Sequence, residues 1–168
     1  MTSEIRTIEW VDDHLVILDQ TQLPTVEKFL TITTVEALVD AIQRLAVRGA
    51  PALGVVGAYG VVIALDQGKR ENWSEETIQE SIDLVRNARP TAVNLAWGVH
   101  RVEDLISQGR SAVLEAAKKL ASEDYLANRA MAKLGADWLL EKLGDKPLTI
   151  LTHCNTGSLA TNRMGELP

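Results

Sequence analysis

The sequence predicts a mixed α/β fold: a small β element first, a helical body next, and the opening of a further α/β unit at the carboxyl end. Three observations predict it. Residues 5–32 hold short runs of β-branched and apolar residues separated by turn residues. Residues 34–142 carry apolar side chains at spacings of three and four, punctuated by Gly and Pro. After Gly144-Asp145-Lys146-Pro147, a compact stop signal, LTILT at 148–152 reads as a buried strand, and a polar turn and a helix start follow it.

The elements follow in order. IRTIEW and HLVIL pair as a hairpin around Val11-Asp12-Asp13, and VEKFLTI at 26–32 supplies a third short strand. Thr34 is placed to cap a helix through VEALVDAIQRLA, with Val35, Leu38, Ile42 and Leu45 on its buried stripe. Gly49 and Pro51 break that helix, and Pro51 can sit in the first turn of the next one, which is expected over 52–66. Ser74 caps a third helix carrying Ile78, Ile82 and Val85 inward, and Arg89-Pro90 ends it. Thr91 is placed to cap a helix over 92–106. A long tract over 111–142 follows Gly109, with Gly135 as its soft point. A single strand at 149–151 needs neighbours, so it predicts parallel sheet that these residues do not supply. The organisation expected is a mostly helical domain at 1–146 and the start of a second domain at 147–168.

Composition narrows the function. With 17 basic against 23 acidic residues the net charge is -6, which argues against a general nucleic-acid binder but leaves room for a local phosphate pocket. One cysteine excludes an internal disulfide framework. The N-terminus MTSEIRTIEW is charged and has no apolar core of a signal peptide. The apolar stretch at 52–65 is short for a membrane span and reads as a buried helix. These features point to a cytoplasmic protein without membrane or nucleic-acid partners.

Two places could carry chemistry. Cys154 stands at the carboxyl end of the expected strand, where open α/β sheets place ligands. A helix start there favours the thiolate, which could serve as acid, base or nucleophile. Simple burial is the competing reading. His153 points to the opposite face if the strand continues, so the two make no dyad. Asn155, Thr156, Gly157 and Ser158 could cradle an anion, and they are also an ordinary turn composition. Arg48, Gly49 and Ala50 form the second place. The guanidinium suits phosphate, Gly49 permits close backbone approach, and the following helix offers its positive end. An exposed arginine at a helix end is equally compatible with the local sequence. Arg89 before Pro90 has the same character. The three histidines and the cysteine lack zinc-ligand spacing, and neither GxxxxGK[ST] nor GxGxxG is present.

Five stretches, LDQTQLP, RGAPALGVVGAYG, ARPTAVNLAW, EDYLANRAM and LTHCNTGSLAT, resemble the successive motifs of the methylthioribose-1-phosphate isomerases. They come in that family's order and cover residues 5–161. The wider superfamily includes ribose-1,5-bisphosphate isomerases and regulatory subunits of a translation initiation exchange factor. The resemblance implies conversion of 5-methylthioribose 1-phosphate to 5-methylthioribulose 1-phosphate in methionine salvage, without nucleotide or metal cofactor. It implies a homodimer at full length, with a Rossmann-like second domain. By match to the family's motifs, Cys154 is the catalytic cysteine, Arg48, Gly49 and Ala50 form the substrate loop, and Arg89 helps hold the phosphate. The family's catalytic aspartate lies beyond the HCNTGSLAT motif, and after Thr161 the sequence departs from the family pattern. The chain as given is therefore expected to be an inactive N-terminal portion. The alternative within the superfamily is a regulatory or structural subunit that binds a phosphosugar or nucleotide and catalyses nothing.

Overall fold

A computed structural model of the chain describes residues 6–153 and 157–161. Strands β1 (Ile8–Val11), β2 (His14–Leu18) and β3 (Phe29–Ile32) form an antiparallel sheet in the order β1-β2-β3. Asp12 and Asp13 close the hairpin with φ of 47° and 62°, the left-handed pair that matches the twist of the flanking strands. Pairing of Ile8 with Ile17, Ile17 with Leu30, and Leu15 with both Trp10 and Ile32 puts these six side chains on one face, against the helices. The expected third strand is shorter than 26–32. It begins beyond Lys28, whose carbonyl accepts the N–H of Asp19 at 2.8 Å.

Five helices follow. In α1 (Val35–Gln43) the Thr34 hydroxyl accepts the Ala37 N–H, and Val35, Leu38 and Ile42 are buried as the periodicity predicts. Leu45 is not part of that stripe. The helix stops at Gln43, Leu45 takes φ 67° and faces solvent, and Ala46 and Val47 fill the core in its place. Helix α2 (Ala50–Glu71) runs 22 residues, past the expected end at 66. It continues because Gln67 and Gly68 are buried, and it closes at Asn72, a left-handed cap whose N–H reaches the Gly68 carbonyl. Gln67 accepts the Val35 N–H at 2.8 Å and donates to Glu36, so α2 caps α1 from the side. By length and composition α2 could cross a membrane, but 78% of its most apolar window is buried in this fold. It is the core helix.

Ser74 caps α3 (Glu75–Asn87) as expected. Helix α4 (Val93–Glu103) starts after Ala92, not at Thr91, and has no side-chain cap. A 3-10 turn over Ile106–Gln108 replaces its expected last turn. Helix α5 (Arg110–Leu143) passes through Gly135 unbroken. Arg110 fixes its start with paired hydrogen bonds to Asp66 and a third to Asp13. Its first half buries Val113, Leu114, Ala117 and Leu120, whereas Leu126, Met131, Leu134 and Trp138 further on are exposed. Residues 149–151, the expected strand, form none: they pair with nothing among the described residues, and Ile150 and Leu151 lie exposed. An extended segment without a neighbouring strand has no ladder to join.

The body is organised by a close crossing of α2 and α4. A Cβ on Gly98 would lie 1.9 Å from the Gly54 carbonyl oxygen, and one on Gly57 would lie 2.4 Å from that of Leu95. Backbone meets backbone here, so neither contact can be relieved by a side-chain rotation. Gly98→Ala is expected to destabilise the chain by about 3 kcal/mol, the upper end of the usual overpacking range. Gly135→Ala is the opposite case. Nothing lies within 4 Å of the added methyl, and removing a helical glycine should stabilise by about 1 kcal/mol. Urea melts of both variants check this. Equal effects from the two substitutions would contradict the crossing.

Candidate functional site

The site is built at the start of α2. The linker from α1 is held before it arrives there. Ala46 donates to the Ala41 carbonyl at 2.9 Å, and its own carbonyl accepts the Gln20 N–H at 2.9 Å. Arg44 donates to Asp40 and to Asp19, both at 2.9 Å. Asp19 is buried and also accepts the N–H and hydroxyl of Thr21. Burial pushes the Asp19 carboxyl up, but the hydrogen bonds from Thr21 and the guanidinium of Arg44 outweigh it and hold the group below its ordinary value of 3.8. The LDQ stretch is thus more than a turn after β2. It grips the linker that delivers Arg48 to the helix.

Arg48 and Ala50 are exposed, and Gly49 is half-buried with φ 94°. Gly49 serves a close approach, as the sequence suggests, but the partner is the protein's own chain. A Cβ there would stand 2.3 Å from the carbonyl oxygen of Ala160. That carbonyl accepts the Ala52 N–H at 3.2 Å, so one of the free donors of the α2 start is already occupied. Around it, Gly157–Leu159 form a 3-10 turn rather than the start of an α-helix, and Ala160 and Thr161 are buried. The Thr7 hydroxyl donates to the Thr161 carbonyl at 2.6 Å and lies 3.2 Å from that of Ser158. Gln20 Nε2 donates to the Leu159 carbonyl at 2.9 Å. Segment 157–161 is therefore docked on the residues flanking the ends of β1 and β2 and on the start of α2.

Cys154, Asn155 and Thr156 lie outside the described residues, and His153 is exposed. What the structure does show is that Ala160, six residues beyond Cys154 in sequence, sits against Gly49 and Ala52 of the second predicted place. Arg89 is half-buried in a tight turn between α3 and α4, where its carbonyl accepts the Ala92 N–H at 2.9 Å. Neighbouring Arg86 is tied to Asp83 and to Glu103 of α4. Arg48 and Arg89 each stand just ahead of a helix, α2 and α4, that enters the glycine crossing. Beside that crossing, Pro51, Val55, Asn94, Trp97 and Leu120 line a cavity of about 320 Å³. A larger cavity, about 680 Å³, lies at the other end of α2 among Trp10, Asp66, Arg70 and Arg110, and none of the predicted site residues lines it. Sequence reasoning missed Thr7, Asp19 and Gln20. For Asp19 and Gln20 the signal available was the LDQTQLP stretch, which reads in sequence only as a family-like motif; Thr7 lies outside it.

Residues 46–164 match the model of the initiation factor 2 subunit family. This span is well over half of the chain, which therefore belongs to that family. Among curated relatives, the probable bifunctional methylthioribose-1-phosphate isomerase/methylthioribulose-1-phosphate dehydratase of Nocardia farcinica is 42% identical over 95% of this chain and 29% of its own length. The methylthioribose-1-phosphate isomerase of Pseudomonas syringae is 41% identical over 96% of this chain and 47% of its own length. Two solved structures are also similar. The 5-methylthioribose 1-phosphate isomerase of Pyrococcus horikoshii gives a TM-score of 0.79 at 32% identity, covering 95% of this chain and 46% of that one. The translation initiation factor eIF-2B subunit delta of A. fulgidus gives 0.77 at 38% identity, covering 94% and 47%. The chain spans less than half the length of each of these proteins. The three-stranded sheet and five helices agree with the fold of both solved structures over their matched parts.

The LDQ anchor has a pH signature. A carboxylate whose folded pKa is depressed contributes stability that is present above its unfolded value and is lost as pH falls through the folded one. Asp19→Asn should cost about 2 kcal/mol near neutral pH, the scale of hydrogen bonds to a charged group. The gap to the parent should close as pH drops below the ordinary 3.8. Denaturant melts of the two proteins from pH 7 to pH 2.5 measure it. A gap that stays constant over this range would show that the Asp19 charge contributes nothing.

Proposed function

We propose that the protein is an aldose–ketose isomerase acting on 5-methylthioribose 1-phosphate, with Cys154 transferring protons and Arg48 and Arg89 holding phosphate. The observation that carries this reading is the docking of the 157–161 turn on Gly49 and Ala52. It gathers the segment after Cys154 and the Arg48-Gly49-Ala50 loop at one end of α2. The isomerase names of relatives near 40% identity support the substrate. On this reading residues 1–146 form one domain, and 147–168 open a Rossmann-like second domain. The full-length protein is cytoplasmic and homodimeric.

The chemistry sets what the residues must do. Carbon 1 bears the phosphate, so the ring cannot open as a free hemiacetal. An acid must protonate the ring oxygen as its bond to carbon 1 breaks. A base then takes the proton from carbon 2, and one returns to carbon 1 through an enediol-like species. The carbon 2 hydroxyl gives up its proton as the carbonyl forms. A thiol or thiolate can serve at the sugar carbons, since its ordinary pKa of about 8.5 can be lowered toward neutrality by a cation and a helix start. The arginines bind and do not react.

A second reading rests on the A. fulgidus subunit, whose identity to this chain is 38% against 32% for the P. horikoshii isomerase. On this second reading the protein is a regulatory or structural subunit that binds a phosphosugar or nucleotide and catalyses nothing. Two measurements separate the readings. Titration of the chain with 5-methylthioribose 1-phosphate should shift the amide resonances of Arg48, Gly49, Ala50 and Arg89. In the full-length gene product, Cys154→Ser should lower kcat about 100- to 10,000-fold with an unchanged melting curve. Arg48→Ala should mainly raise KM. Unreduced turnover in a folded Cys154→Ser variant would sink the catalytic assignment. Binding with no turnover in the unmutated protein would favour the regulatory subunit.

A further inference from the structure

We propose that the cavity at the far end of α2 is a binding site for a small phosphate monoester, separate from the site at the start of that helix. Four parts of the fold converge on this cavity of about 680 Å³: the hairpin turn at Asp13, the end of β3 at Ile32, the last turns of α2, and the start of α5 at Arg110. Its volume is that of a small-molecule site. Ala50 and Arg70 stand about 30 Å apart along α2 at roughly 1.5 Å per residue, so one small ligand cannot reach both ends.

The charges set the sign of the ligand. Two carboxylates line the cavity, Asp13 and Asp66, and Arg110 holds both. It does so through Nε and Nη2 while lying 5.8 Å from the centre of the Trp10 ring, and its Nη1 has no acceptor among the described residues. Lys69 and Arg70 line the same cavity, and neither has a carboxylate partner among the described residues. Lys69 bonds to nothing there. Arg70 donates only to the Thr33 carbonyl, at 2.7 Å, and a neutral acceptor fixes a guanidinium without cancelling its charge. The negative end of α2 offsets about half an elementary charge. Across the cavity, Gly109 brings no capping side chain to α5 and the first turn of that helix carries no acidic residue. Its positive end is therefore uncancelled beside the Ser111 hydroxyl, which also lines the cavity and has no hydrogen-bond partner among the described residues. Two surplus cations match the charge of about -2 that a phosphate monoester carries near pH 7, where a carboxylate would match one. The guanidinium and ammonium are the donors such a group takes. Ile32, Ile63 and Leu65 supply apolar wall for the carbon body of the ester, which inorganic phosphate lacks.

Amide resonances of the chain, followed through titrations with inorganic phosphate and with phenyl phosphate, test this. Sodium chloride is the control for ionic strength. Lys69, Arg70 and Ser111 should shift and saturate with both phosphates and stay still with chloride. Phenyl phosphate should bind about tenfold more tightly, because its ring covers the apolar wall. Lys69→Gln should weaken phenyl phosphate about tenfold, the loss of one hydrogen bond to a charged group. That variant should melt like the parent, since Lys69 holds nothing in the fold among the described residues. Arg70→Gln should weaken binding by a similar factor, and in Arg48→Ala the response at Lys69 should persist. Shifts that climb without saturating, equal affinity for the two phosphates, or unchanged affinity in Lys69→Gln each overturn the site. Shifts confined to Arg48, Gly49 and Arg89 overturn it too and leave the isomerase reading standing.

Discussion

The contact on which the rest depends is the passage of α2 against α4 with no side chain between them. Gly57 and Gly98 let carbonyl and amide surfaces touch, Gly54 makes room for the Trp97 ring, and the buried valines and alanines of α2 fill the space on either side. A helix buried over most of its length has no polar face of its own and is stable only inside a shell. The sheet, α1, α3, α4 and α5 form that shell. Because both helices enter the crossing from segments that carry an arginine, its geometry also determines how far apart Arg48 and Arg89 stand. On the proposed function packing and recognition are coupled, since a change that spreads the helices would also separate the two cations.

The start of α2 has a second dependence, on the far end of the described chain. An uncapped helix start leaves several N–H groups looking for acceptors. Here the acceptor for Ala52 comes from Ala160, more than a hundred residues away in sequence, instead of from a capping side chain. Gly49 at this position offers no side-chain oxygen, and a residue that did would collide with Ala160. The glycine exchanges a local cap for a long-range one. Thr7, just before β1, and Gln20, just after β2, contribute the rest, so three parts of the sequence converge on one stretch of backbone.

Local rules carried the reading wherever a side chain decides the outcome. Thr34 and Ser74 cap as their chemistry requires, and the Val35, Leu38 and Ile42 stripe is buried as its period requires. They failed where tertiary contact decides. Leu45 fits the helical period but lies beyond the point where the chain turns into the left-handed region to bury Ala46 and Val47. Thr91 has cap chemistry, yet the turn after Arg89 starts α4 one residue later. Gly135 looked like a weak point, but a solvated helix tolerates one glycine for about 1 kcal/mol. The strand expected at 149–151 needs partners that no periodicity within those residues can provide. For the candidate site, residue types pointed to Arg48, Gly49, Ala50 and Arg89, while Thr7 and Gln20 gave no signal as individual residues. Their work is done through side-chain bonds to distant backbone, and no local spacing encodes that.

The occupied helix start also bears on how an anion could be held. Phosphate sites at helix ends usually draw on free N–H groups together with the dipole. At α2 the Ala160 carbonyl takes one such group and places an oxygen lone pair where a phosphate oxygen would otherwise sit. The dipole remains, but part of the hydrogen bonding does not. Anion binding near Gly49 must then rely more on guanidinium groups, and Arg48 at an exposed position can swing toward a ligand at no cost in broken ion pairs among the described residues. The docking that gives the α2 start its long-range cap thus leaves it a poorer anion cradle.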